Sequence, residues 1–285
     1  MVKDRAPRRY EIVDQLGKYA EDFANLYGSE REKSKQQLNA VNQQLIRYAD
    51  DMNKTISDLR AAHEELQDSF LDTIHRLSLA AEYKDEETGN HIVRMSRYSA
   101  FIAERLGLSK KDLKNILYAS PLHDLGKIGI PDSILLKPGK LTNEETTIMK
   151  THTIIGANIL AYSNAGILQM AEQIAISYHE KWNGRGYPQG LSKEKIPLVG
   201  RIVELADVFD ALTSKIPYKE PYPIEVAVDI IEKEKGQSFD PDIVDVFLDC
   251  VDEIIATKEE VDRTEVVRAA DFTYSERDLM QHMYE

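Results

Sequence analysis

A chain of 285 residues, 42% hydrophobic and 30% charged, can bury a sizeable core beneath a polar surface. Its formal charge of −13 and its pI near 5.1 exclude a general nucleic-acid-binding surface, so DNA is not an expected partner. The single cysteine, Cys250, excludes an internal disulfide framework and fits a reducing, cytoplasmic setting. No signal peptide or apolar run of membrane-spanning length (about 18 residues) is visible.

Residues 1–9 are basic and read as unstructured. Tyr10, Val13, Leu16, Ala20, Phe23 and Tyr27 have helical spacing, and Gly28-Ser29 reads as a break, with Ser29 and Glu32 as a capping box for a second helix. From about 30 to 80 there is neither proline nor glycine. Leu38, Val41, Leu45, Tyr48, Met52, Thr55, Leu59, Ala62 and Leu66 step by three and four, the heptad seam of a coiled coil. Such a seam favours pairing with a second copy of the chain; folding back onto its own domain is the alternative. His63 and His75 sit among polar neighbours on this helix and read as solvated.

Beyond residue 70 the spacing predicts helices over 70–84, 88–106, 109–124, 142–149, 151–162, 166–180, 197–213, 222–235 and 240–257, with no period-2 strand. Ser109 reads as an N-cap and Thr142 with Glu145 as a capping box. Residues 128–140 and the glycine-rich 183–190 are loops. Cys250 falls on the apolar face of the last of these helices, as a small core residue. The charged stretch from 258 onward, with His282, carries no chemistry.

Among the seven histidines, His91, His123, His152 and His179 stand out by their company. Each alone is better explained as a core or capping histidine. Together with Glu87, Asp124 and Asp207 they make a metal site the better reading. Glu87 and His91 are four apart and share a face of any continuous helix. Asp124 is the residue next to His123, and a carboxylate can bridge two cations where an imidazole binds one. Lys127 comes within one turn. Asp207 lies among apolar residues, where a bare charge is costly, and Asp210, one turn on, is placed to orient an imidazole.

These residues, in this order, resemble the HD superfamily of metal-dependent phosphohydrolases. The matching stretches are residues 84–91 (KDEETGNH), 123–131 (HDLGKIGIP), 179–188 (HEKWNGRGYP) and 200–213 (GRIVELADVFDALT). Gly186-Tyr187-Pro188 resembles the HD-GYP branch. The resemblance runs over roughly residues 70–255 and implies an HD-type helical bundle, in keeping with the all-α spacing of residues 70–257; the heptad seam makes residues 1–69 a helical dimerisation or signalling segment with coiled-coil character, and residues 258–285 are a charged extension. It implies hydrolysis of the bacterial second messenger cyclic di-GMP, or a related cyclic dinucleotide, to pGpG and in some members on to GMP, through a metal-bridged hydroxide. Two or three divalent ions, iron or manganese, are implied. His91, His123, Asp124 and Asp207 would hold the first, Asp124 would bridge to a second on His152 and His179, and Glu87 would serve a third. Lys127, Arg185, Gly186, Tyr187 and Lys219 would meet substrate. Three positions depart from the family pattern: Tyr178 replaces a histidine, Asn183 an aspartate and Ile216 a phosphate-binding arginine. The alternative is therefore a weakly active or inactive relative that binds nucleotide or metal and signals through protein partners.

Overall fold

The computed structural model describes residues 6–84, 89–215 and 220–263, with side chains from residue 11. Glu87, Ile216, Lys219 and His282 lie outside the described residues. Two compact units are present, Met1–Leu66 and Gln67–Glu285. The described residues form eleven α-helices and no strand; Lys235 and Phe239 make an isolated bridge. No helix among them is long and apolar enough to cross a membrane.

Helix α1 (Ala6–Glu82) supplies the described part of the first unit. It passes through Gly28-Ser29 without the expected break, and it begins within the basic stretch expected to be unstructured. One glycine costs a helix only about 1 kcal/mol, which leaves no reason to stop where the flanking residues are good helix formers. Ser29 is not a cap either: its hydroxyl donates back to the Leu26 carbonyl at 2.9 Å. Within this unit the seam residues Leu38, Val41, Leu45, Met52, Leu59 and Leu66 are all exposed.

In the second unit the last turns of α1 bury Leu71, Ile74, Ser78 and Ala81 along one face. His75 lies on that face and is only 3% exposed, so the solvated reading fails for it while His63 is exposed as expected. Helical phase decides burial here, not the polarity of immediate neighbours. The centre of the unit is α2 (Gly89–Arg105), buried on all sides from His91 to Ala100 and packed against α3 (Lys110–Ala119), α8 (Leu198–Thr213) and α11 (Val251–Arg263). Ser109 caps α3 by accepting the Asp112 N–H, and Thr142 with Glu145 forms a complete capping box on α5 (Asn143–Lys150). Between these helices lies the one-turn α4 (Asp132–Leu135).

The expected helix 109–124 ends early. Pro121 cannot donate to the α-ladder, and the chain continues as two 3-10 turns, Ser120–Leu122 and Leu125–Gly129. His123-Asp124 sits at their junction rather than at the end of an apolar α-helix. The second turn packs on α6 (His152–Leu160), which in turn packs on α7 (Gly166–Ser177). Past α9 (Ile224–Lys233), the helix expected over 240–257 divides at Cys250 (φ −118°, ψ 18°) into α10 (Pro241–Asp249) and α11, with neither glycine nor proline to mark the corner. Cys250 itself is buried, as its apolar spacing predicts.

Candidate metal centre

Three elements bring the donors together. His91 comes from α2, His123 and Asp124 from the junction of the 3-10 turns, and Asp207 from α8. Donor atoms of His91, His123 and Asp207 all lie within 4.8 Å of one another.

Each imidazole is oriented by its outward nitrogen. His123 Nδ1 is 2.9 Å from the Ser120 carbonyl, which can only accept, so Nδ1 carries the proton and Nε2 presents its lone pair. That buried Nε2 has no hydrogen-bond partner, and Asp124 Oδ2 stands 3.2 Å from it. His91 Nδ1 is 2.8 Å from Asp210 Oδ2, which leaves Nε2 facing Asp207 Oδ1 at 3.5 Å. Ligands on adjacent vertices of a cation with bonds of about 2.1 Å lie roughly 3 to 3.4 Å apart, so these separations suit a bound divalent ion. A donor set of imidazoles and carboxylates without a thiol suits the same class.

Asp210 is itself held by Arg94, whose Nε donates to Oδ1 at 2.6 Å and Nη2 to Oδ2 at 2.8 Å. Arg94 also reaches Asp262 (2.9 Å) and Ser214 (2.9 Å). Burial favours a neutral Asp210, but Arg94 and His91 outweigh it and hold the carboxyl far below its ordinary range. Burial likewise opposes charge on His91, yet Asp210, Asp207 and Glu82 raise it to about 10. For His123, burial is overcome by Asp124 and Asp207, giving about 9. In the absence of a cation these two rings carry protons in its place.

Asp124 faces the other way as well. Its Oδ2 is 2.8 Å from Lys127 Nζ, and Tyr178 donates to its Oδ1 at 2.5 Å. The Tyr178 oxygen is also 2.8 Å from His152 Nε2. Burial, reinforced by Asp124 and Asp207, pushes the Tyr178 phenol well above its usual range, so it stays protonated. His179 is not among the three converging donors; its ring lies beside His152, with centroids 5.2 Å apart, and stacks on Tyr187 at 4.6 Å. Burial lowers His179 to about 3 against the pull of Asp124, so it is neutral.

The glycine-rich loop is organised by a residue that sequence reasoning missed. Glu180, fully buried, accepts the backbone N–H of Gln189 (2.7 Å) and of Leu191 (2.9 Å). Gly186 is required by the chain itself: a Cβ there would sit 2.3 Å from Lys181 N and 2.4 Å from Glu180 Cα. That close approach is a packing requirement of the loop, separate from the contact with substrate expected of Gly186. Asn183 is exposed and accepts the Arg185 N–H at 2.9 Å, closing a turn, and Arg185 is itself exposed. Lys215, next to Ile216 in the chain, is exposed, 3.8 Å from Glu220. Lys84, also missed, donates to the carbonyls of Lys127, Ile128 and Ile130 and so ties the end of α1 to the second 3-10 turn. Arg94 and Lys84 had no local signal, since their partners are remote in the chain.

The HD domain family model matches residues 75–243. The chain is 48% identical over 190 residues to a cyclic di-GMP phosphodiesterase of Thermotoga maritima, covering 67% of this chain and 52% of the relative. It is 46% identical over 190 residues to the cyclic di-GMP phosphodiesterase response regulator RpfG of Xanthomonas campestris, covering 67% and 50%. A 3'3'-cGAMP-specific phosphodiesterase of Vibrio cholerae is 42% identical over 194 residues, covering 68% and 37%. The chain thus spans about half the length, or less, of the curated relatives it matches. The crystal structure of the cyclic GMP-AMP phosphodiesterase V-cGAP3 of V. cholerae shares the fold, with a TM-score of 0.52 at 22% identity over 70% of this chain and 54% of that one.

Proposed function

This chain belongs to the HD domain family, in its HD-GYP branch, and on that premise we propose that it is a metal-dependent phosphodiesterase acting on a cyclic dinucleotide, cyclic di-GMP first. The observation that carries the reading is the convergence of the buried Nε2 of His123 with the carboxylates of Asp124 and Asp207 and the imidazole of His91. These four residues would hold the cation, iron or manganese in keeping with the family resemblance. When bound, a divalent ion lowers the pKa of water and takes up charge on phosphate oxygens.

The rest of the chemistry falls to the chain. Lys127, 2.8 Å from Asp124, is positioned to meet a phosphate oxygen and offset the charge that develops on it. His152 and His179 are kept neutral mainly by burial, so neither is charged to protonate a leaving oxygen near neutral pH. Tyr187 stacks on His179 and carries Lys150 Nζ over its ring, 4.8 Å from the centroid, which sets a half-buried aromatic pair and a cation close together for a nucleotide. Glu87 and Lys219 keep their proposed roles as ligand and phosphate contact. The product would be pGpG, with GMP if a second hydrolysis ensues. Because the substrate is an intracellular messenger, the activity belongs in the cytoplasm. The heptad seam of α1, exposed throughout its unit, supports a homodimer through that helix.

The test is turnover of cyclic di-GMP by protein loaded anaerobically with iron or manganese, beside Asp124→Ala. Linear product well above that control is expected. None above it, with 3'3'-cGAMP also untouched, would leave the second reading, a binding relative that signals through partners, which the phenol of Tyr178 at the centre favours.

A further inference from the structure

The pocket contains a second pair of donors at cation spacing. Asp124 Oδ1 and His152 Nε2 are 3.5 Å apart, close to the separation of two ligands sharing one ion at bonds of about 2.1 Å. His152 Nδ1 lies 2.6 Å from the Met149 carbonyl and so carries the proton, which turns the Nε2 lone pair inward. The hydroxyl of Tyr178 nonetheless lies against both, giving its one proton to Asp124 Oδ1 at 2.5 Å and standing 2.8 Å from His152 Nε2. We propose that this hydroxyl takes the place of a second cation, so that the centre of this chain holds one ion and not two.

The geometry supports the replacement on three grounds. The phenol oxygen sits on one side of the Asp124–His152 pair, and an ion on that side, at about 2.1 Å from both donors, would overlap it. An ion turned about the pair to lie beside the oxygen would have to take it as a ligand, and a neutral phenol is a poor donor to a hard divalent ion. The ring cannot swing clear: Tyr178 is 1% exposed, edge-on to His123 (5.1 Å) and His152 (6.1 Å) and against His179 (3.9 Å). Asp124 Oδ2, by contrast, still faces His123 and the first ion position. Tyr178 thereby becomes a positioning residue that fixes the Asp124 carboxylate from the side a second ion would occupy.

The inference rests on the reading of His91, His123, Asp124 and Asp207 as ligands, and its test is read by counting metal in the absence of substrate. The 285-residue chain is stripped with chelator, reloaded anaerobically with manganese, desalted and assayed for metal per chain. About one ion is expected in the wild type and about two in Tyr178→His. Two ions in the wild type, or a folded Tyr178→His that still holds one, would overturn the replacement. So would a visible phenolate-to-iron band in the oxidised iron form that Tyr178→Phe lacks, because Tyr178 would then be a ligand. No ion at all would overturn the centre itself, and loss of dinucleotide turnover would bear on neither count. If Tyr178→His does not fold, the wild-type count decides alone.

Discussion

At the scale of the residue, the centre depends on which nitrogen of each histidine carries its proton. Asp210 accepts the Nδ1–H of His91, and Arg94 holds Asp210 through both carboxylate oxygens. Asp210→Asn keeps the shape and loses the charge, so manganese affinity should fall by about 10- to 100-fold, as for other partners of metal-binding histidines; isothermal titration would read it. Asp210→Ala leaves the buried Arg94 guanidinium only Asp262 and Ser214 and should cost about 1–3 kcal/mol in urea unfolding. Proton competition adds a pH dependence. His91 and His123 rise from 6.5 to about 10 and about 9 in the metal-free fold. Facing His91 are Asp210, Asp207 and Glu82, and facing His123 are Asp124, Asp207 and His91 itself. A group raised on folding lends stability below its unfolded pKa and loses it as pH passes the folded one. Metal-free protein should therefore weaken between pH 6.5 and about 10, while manganese affinity climbs over the same interval as the competing protons leave. An affinity flat from pH 6.5 to 9 would contradict protonated rings. Asp210 could be read from the chain because it lies one turn past Asp207. The Tyr178–Asp124 contact could not, since it joins residues 54 apart; the sequence marked Tyr178 as a substitution without showing what its hydroxyl touches.

At the scale of the element, the junction that presents His123 and Asp124 is made by a close approach of two backbones. Asp124 (φ −99°, ψ 9°) occupies the sparsely populated bridge region between the two 3-10 turns. Gly126 then touches α6: a Cβ there would lie 1.8 Å from the His152 carbonyl oxygen and 2.5 Å from Gly156 N. Gly126→Ala should push α6 away and cost at least the roughly 1–3 kcal/mol of ordinary overpacking, because backbone cannot yield as a side chain can. The denaturant midpoint would show it, and manganese affinity should fall with it because Lys127 and Asp124 move on the same turn. Local devices such as the Ser109 cap and the Thr142–Glu145 box were legible, since every atom they use lies within four residues. The 3-10 turns and the corner at Cys250 were not, because apolar spacing does not separate an α-turn from a tighter one. His75 escapes the sequence for a related reason: the face it shares with Leu71, Ile74 and Ser78 becomes a burial signal only where the helix meets a core.

At the scale of the whole molecule, the second unit has its own core while the described part of the first has none. From residue 11 to 66 every side chain of α1 is exposed, including Leu45 (58%), Met52 (61%) and Leu59 (69%) on one seam. Helices in water draw most of their stability from packing an apolar stripe, and a seam that steps by three and four over four heptads is shaped to receive its own copy. The same pattern was readable at once in the sequence, because a heptad is a property of one chain's spacing; which helix fills it is not. Placing charge on the seam separates the possibilities. In the full chain, Leu45→Glu with Met52→Glu should halve the mass seen by light scattering and lower helical ellipticity at 222 nm in proportion to the first unit. The manganese count per chain should stay unchanged, since the donors all belong to the second unit. A wild type of monomer mass, or a double variant of unchanged mass, would remove the paired seam as the explanation for those exposed leucines.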